Sequence, residues 1–477
     1  MNNSTTDAIE AIEAIDAIEA IDAIESIEAI EAIDAIESIE AIAVRERALA
    51  EARATGDAAT ITAAQLEVGK SYLQAGHAPK ALTHVEEAIE IAEANGLNEE
   101  NARLWGYKGL ALAQLGNTHL AQKALFRSLN VAREIDHKPL QSDALGHIAQ
   151  LMAERGDIEK AIGRLDQALA MAQEANDPLR AMHLEGKLGA LFLTLQSLDK
   201  AADSFAAALH YAERMNLAKS VLRYRIGLGS VMLANGEPDV ALEQFEIALN
   251  EADALDNPGA RVHALDAMLQ GHAAAGHVGM VQTYADALLT LCADEKMAAV
   301  ALAASLNTAT FFMEHEQPKR ALHYLKRGLE LARAEDNWAW QAVMLEKMSL
   351  AHYMQEEWEL AVADCRAALD VAHQLHDEAA QARLYGHLGA TLSETGAADA
   401  AKAASLAAVA IAERLEDLPL VGEQQVLLAF AATEAGEIDA ARDWCRAALK
   451  TFATLGDALM VERTTALLAE IDAAAVG

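Results

Sequence analysis

At intervals of forty residues the chain repeats itself. "LEVGKSYLQAGHAPKALTHVEEAIEIA", from Leu66, is answered by "GYKGLALAQLGNTHLAQKALFRSLNVA" from Gly106 and by "GHIAQLMAERGDIEKAIGRLDQALAMA" from Gly146. The step holds without insertion to the C-terminus. A small residue recurs at Gly69, Gly109, Ala149, Gly189, Gly229, Ala309, Ser349, Gly389 and Ala429, with Leu269 breaking the series. Seven residues later a turn glycine follows at Gly76, Gly116, Gly156, Gly236, Gly276, Gly396 and Gly436. Five further on comes Ala81, Ala121, Ala161, Ala201, Ala241, Ala321, Ala361, Ala401 or Ala441, with Val281 the exception. Such an array buries apolar surface between neighbouring units, so its length does not count out conventional domains.

Each unit reads as two helices. The first carries the small slot, where a neighbouring helix must come close. The second follows the turn glycine and places Ala81, Val85, Ala88, Ile89 and Ala92 at helical spacing. Aromatics make up only 4% of the chain and Ala dominates, which favours close-packed helices over sheets. The prolines agree. Pro79, Pro238 and Pro318 fall where second helices start, and Pro139, Pro178, Pro258 and Pro419 where first helices open. None occupies a helix interior, where it would cost about 3 kcal/mol.

The pattern resembles the tetratricopeptide repeat. Trp105 with Gly109, and Tyr385 with Leu388 and Gly389, match the first half of that signature. Val68, Gly69 and Tyr72 match it with one conservative change. Ala201, Phe205 and Ala208, and Ala241, Phe245 and Ala248, match the second half. The forty-residue period is similar to that of kinesin light chains, LGN-type adaptors and MalT-like sensor regions. The resemblance implies an all-α fold, an α-solenoid forming a right-handed superhelix of ten helix-turn-helix repeats over residues 57–456. Repeats six to eight depart from it. Leu269 fills the small slot, Leu288 replaces an Ala, and Glu316 and Glu356 replace the turn glycine. These changes fit either drifted ordinary repeats or a bend.

Residues 1–40 follow another rule. From Asp7 to Ile42 an acid, then Ala or Ser, then Ile recurs in triplets. On a helix each triplet turns about 300°, so Ile and acid both circle the axis and no apolar seam forms. Acids three apart repel one another, so the segment reads as an exposed, fraying acidic helix that orders at low pH. In the forty-residue frame, 41–56 takes the place of a lone second helix and reads as an N-terminal cap. Residues 457–477 read as a lone first helix capping the other end.

The net charge is −36, and the first 44 residues contribute twelve acids and no Lys or Arg. Phosphate backbones and anionic membranes are therefore unfavourable partners. Cys292, Cys365 and Cys445 are widely spaced, which reads as a reducing, cytoplasmic setting, with the cysteines as buried small hydrophobes. "VGKS" at Val68–Ser71 lacks the earlier glycine of a phosphate loop, Ala64 standing in its place. His373 and His376 read as a surface pair. No catalytic residue, metal site or cofactor is indicated.

What remains is a binding surface. The resemblance implies that first helices line a groove receiving a peptide or protein. Six residues before the small slot lie Arg103, Asp143, His183, Arg223, His263, Arg383 and Glu423. One after it lie Lys70, Gln150, Ser230, Gln270 and Thr310. The centre of that groove is basic inside an acidic protein, which suits an acidic ligand segment. Gly106, Gly146, Gly186 and Gly386 would leave a shallow floor. Trp338 and Trp340 form a candidate exposed anchor. The expected function is a non-enzymatic scaffold or adaptor. The alternatives are a sensory module of a signalling system, or a self-assembling protein joined through array ends or the acidic arm.

Overall fold

A computed structural model describes residues 42–255, 257–294 and 297–474. The acidic triplets and the boundary at residue 40 lie outside the described residues. Every regular element among those described is an α-helix. The chain divides into two compact units, Met1–Ala299 and Val300–Gly477.

The first unit begins with α1 (42–55), α2 (Ala58–Gln74), α3 (Ala78–Asn95), α4 (Asn98–Gln114), α5 (Thr118–Glu134), α6 (Lys138–Glu154) and α7 (Ile158–Glu174). It continues with α8 (Pro178–Thr194), α9 (Leu198–Arg214), α10 (Ala218–Ala234), α11 (Pro238–Ala254), α12 (Pro258–Ala274) and α13 (Val278–Asp294). Helix α14 (Ala298–Glu314) starts at the division. The second unit goes on through α15 (Pro318–Ala334), α16 (Trp338–Tyr353), α17 (Trp358–Gln374), α18 (Glu378–Glu394), α19 (Ala398–Leu415), α20 (Leu418–Glu434), α21 (Ile438–Leu455) and α22 (Ala458–Ala474). Even-numbered helices are the first helices of each pair and odd-numbered ones the second. Pro79, Pro139, Pro178, Pro238, Pro258, Pro318 and Pro419 all stand in the first turn of a helix, where no N–H is missed.

The link between helices has a period of twenty. A residue with left-handed backbone stands at every twentieth position described, from Gly56 to Gly456. Ten of them are glycines; the rest include Asp136, Asn176, Gln196, Asn216, Glu316, Glu356 and Glu416. From Gly76 on, each closes the preceding helix in the same way. His77 N–H donates to the Tyr72 carbonyl at 2.8 Å and Gly76 N–H to Leu73 at 3.0 Å; Gln317 and Glu316 repeat this on Phe312 and Met313 at 2.7 and 3.0 Å. The expected turn glycine is thus replaceable because the hydrogen bonds, and not the residue type, hold the link. A side chain in this region still costs about 1 kcal/mol. Glu316→Gly and Glu356→Gly are each expected to stabilise the protein by about 0.5–1 kcal/mol, read as a rise in the chemical-denaturation midpoint at unchanged slope.

The small slot works by close approach. A Cβ on Gly69 would lie 2.9 Å from Val85 Cγ2, and one on Gly189 would lie 2.9 Å from Phe205 Cδ1. In both cases the partner stands sixteen residues later, on the second helix of the same pair. Leu269 reverses the sizes, since sixteen residues later stands Ala285, and both are buried. The large residue has moved to the first helix and the small one to the second.

First helices also meet each other. In the first unit α2 touches α4, α4 touches α6, α8 touches α10 and α10 touches α12, while the second helices keep further apart. The first helices therefore lie on the inner side of that unit. Helix α1 packs on α2 by burying Leu49 and Ala52, and Tyr72 Oη donates to Glu46 at 2.6 Å.

Candidate functional site

The groove residues expected in the first unit lie on its first helices, α2 to α12. Their surroundings differ. Lys70 pairs with Glu67 at 2.6 Å and lies 5.2 Å over the Tyr107 ring. Arg103 pairs with Glu99 one turn earlier, and Glu99 also stands 3.6 Å from His137 Nε2. Asp143 is clamped by Arg180, whose Nε and Nη2 donate at 2.7 and 3.0 Å; the same guanidinium bonds Asp177. Gln150 reaches Glu154 at 3.3 Å, and the Ser230 hydroxyl donates to the Ile226 carbonyl of its own helix at 3.1 Å.

The centre holds together as a strip. His183 and Lys187 on α8, Arg223 on α10 and His263 on α12 are electrostatic neighbours. Burial first, then Arg223 and Lys187, holds the His183 imidazole below its usual range. Burial and then Arg223 push His263 down to about 4. On α6, burial and then Lys187 push His147 down to about 4, with Asp143 opposing. The imidazoles are therefore neutral hydrogen-bonding groups at pH 7, and Lys187 and Arg223 carry the positive charge.

Besides Asp143, a further acid lies within this face. Asp266 on α12 takes the position where Gly106, Gly146 and Gly186 stand in earlier repeats. Burial pushes its carboxyl up to about 6, opposed by the Gln270 amide that donates to it at 2.9 Å. Asp266 is half-buried. A carboxyl raised in the folded state keeps its proton longer than in the unfolded chain. Its presence is stability-neutral below about pH 4 and destabilising above about pH 6. Asp266→Asn is expected to stabilise the protein by about 1–2 kcal/mol at pH 7.5, with the gain fading as pH falls to 4. A gain constant across that range in urea titrations would contradict the assignment.

The remaining residues belong to the second unit. Thr310 is half-buried on α14. Arg383 Nε and His387 Nδ1 both face Glu346 Oε1, at 3.6 and 3.8 Å. Glu423 is pushed up to about 7 by burial, then by Asp417. Trp338 is 45% exposed, whereas Trp340 is half-buried, and its backbone N–H donates to Asn337 Oδ1 at 3.2 Å. Burial pushes the thiols of Cys292 and Cys365 up to about 12 and Cys445 to about 11, far from a thiolate nucleophile. His373 Nε2 stands 3.3 Å from Tyr385 Oη. Among the described residues no three His, Cys, Asp or Glu side chains converge on a metal position. No helix among them is long and apolar enough to cross a membrane.

Residues 100–174, which span α4 to α7, match the tetratricopeptide repeat family. That stretch of the chain consists of tetratricopeptide repeats. Solved structures repeat the fold. The apo form of RapI is similar at a TM-score of 0.52 and 13% identity, covering 83% of this chain and 99% of its own. A signal-transduction ATPase with numerous domains and a tetratricopeptide repeat sensor, from Pyrococcus horikoshii, is similar at a TM-score of 0.54 and 15% identity. That alignment covers 84% of this chain and 55% of the ATPase. No curated protein matches the chain in sequence. Sequence reasoning found the His183, Arg223 and His263 row but missed His147, Lys187 and Asp266. They occupy two positions of the first helix that the repeat leaves variable, and only their shared facing reveals them.

Proposed function

We propose that this repeat protein is a non-enzymatic scaffold whose inner face in the first unit docks an acidic segment of a protein partner. The observation that carries the reading is the strip of His183, Lys187, Arg223 and His263 on three successive first helices, in a chain of net charge −36. Neutral imidazoles offer directed hydrogen bonds, and the two cations offer charge-assisted ones to carboxylates. The glycines expected to leave a shallow floor do not: Gly106, Gly146 and Gly386 are buried, and the Tyr224 ring packs over Gly186. In the same reading α1 and α22 cap the array over 41–56 and 457–477, and Trp338 and Trp340 are outside the principal site.

The test uses the full-length protein and a fluorescent peptide of mixed Asp, Glu and Ala, with an uncharged Gln and Ala peptide as control. The acidic peptide is expected to bind and the control not. Arg103→Glu with Arg223→Glu is expected to weaken binding at least about tenfold, by reversing two charges near the ligand, with helicity by circular dichroism unchanged. Equal affinity of the double variant would remove the strip from the site and direct attention to Trp338 and Trp340.

A further inference from the structure

A second cationic surface lies on the opposite kind of helix. Along α5, His119, Lys123 and Arg127 follow one another at four-residue spacing, so they share one stripe of that helix. With Gln122, Phe126 and Asn130 they line a shallow depression of about 480 Å³. Leu120 beside them is 51% exposed. Among the described residues neither Lys123 nor Arg127 makes a hydrogen bond or an ion pair. Two acids of α3 pair elsewhere, Glu86 with Lys108 at 2.7 Å and Glu87 with Arg53 at 2.9 Å. In a protein this acidic, unpaired cations beside exposed apolar side chains make a surface that calls for an acidic and apolar occupant.

The chain contains a segment of that chemistry. Residues 7–41 combine carboxylates with Ile and hold no Lys or Arg. The segment joins the structure at Ile42, which packs near Leu82 in the apolar cluster of α1 to α4. Ile42, Leu82 and Gln122 are successive forty-residue equivalents, so the segment leaves α1 at the level where the α5 stripe begins. Two helix spacings of about 10 Å separate the positions. Forty-one residues reach about 60 Å even if helical. We propose that the acidic N-terminal segment folds back on its own chain and occupies the α5 stripe, its carboxylates meeting Lys123 and Arg127 and its Ile side chains meeting Leu120 and Phe126.

Helix α15 is richer in cations but offers less. Arg320 lies 5.5 Å over the Phe312 ring, and Lys326 and Arg333 act on Asp364. It serves as the control surface.

Two measurements on the full-length chain decide. Zero-length carbodiimide coupling at high dilution, mapped by mass spectrometry, is expected to join a carboxylate of residues 7–41 to Lys123 within one monomer. Cleavage of the segment by a glutamate-specific protease is expected to be about tenfold faster in Lys123→Glu with Arg127→Glu. Lys326→Glu with Arg333→Glu should leave it unchanged. Coupling only in dimers, coupling that omits Lys123, or equal cleavage in the wild type and a fully helical α5 variant would overturn the proposal. So would acceleration by the α15 variant. Should the α5 variant lose helicity, the wild-type coupling result alone decides.

Discussion

Gly229→Leu is expected to destabilise the protein by about 3 kcal/mol or more. A Cβ at Gly229 would lie 2.8 Å from Phe245 Cδ1 and 2.9 Å from its Cζ, and the Phe245 ring is fully buried. A branched side chain cannot enter without pushing α10 away from α11. In a repeat array the damage is local first, because each pair is held mainly by its neighbours. Hydrogen exchange should therefore accelerate across α10 and α11 before it does elsewhere. Adding Phe245→Ala should recover part of the loss by giving the new side chain room. A Gly229→Leu protein with wild-type stability and exchange would show that close approach at this slot is not what pairs the helices.

Leu269→Gly is expected to cost about 3–4 kcal/mol, from the lost side chain, the cavity it leaves and the flexible glycine. Ala285→Leu alone should cost about 1–3 kcal/mol by overpacking against Leu269. Together they restore the arrangement of the other repeats, a small residue on α12 and a large one on α13. The double variant should thus be more stable than Leu269→Gly alone, giving a strongly non-additive cycle in denaturant titrations. Simple additivity would mean that Leu269 and Ala285 do not share one space.

These two pairs show how far the sequence reaches. The forty-residue frame placed helices, proline starts and small slots, because each is a local requirement that one residue type meets best. The size exchange at Leu269 and Ala285 was hidden, since only the sum of two side-chain volumes is constrained and the frame inspects one position at a time. The same holds for the links. A glycine is easy to recognise, yet Gln196, Glu316 and Glu356 take the left-handed geometry under the force of the hydrogen bonds around them. In the candidate site, His183, Arg223 and His263 were legible because they recur at one slot. Asp143 was legible as an acid in the row, but not as a side chain held by Arg180. That pairing depends on how far one helix stands from the next. Lys187 and Asp266 required knowing which way the first helices face.

The uniform link has a consequence for how such a chain changes length. Among the described residues the joints from Gly76 to Gly456 close their helices in the same way and fall in phase. Excising or duplicating any forty consecutive residues fuses two segments at matching points, wherever the cut falls, even inside a helix. The seam then differs from its parents only in side chains. Array length is therefore a quantity that recombination can alter in whole steps without redesigning a single joint, and the span of surface presented to a partner alters with it.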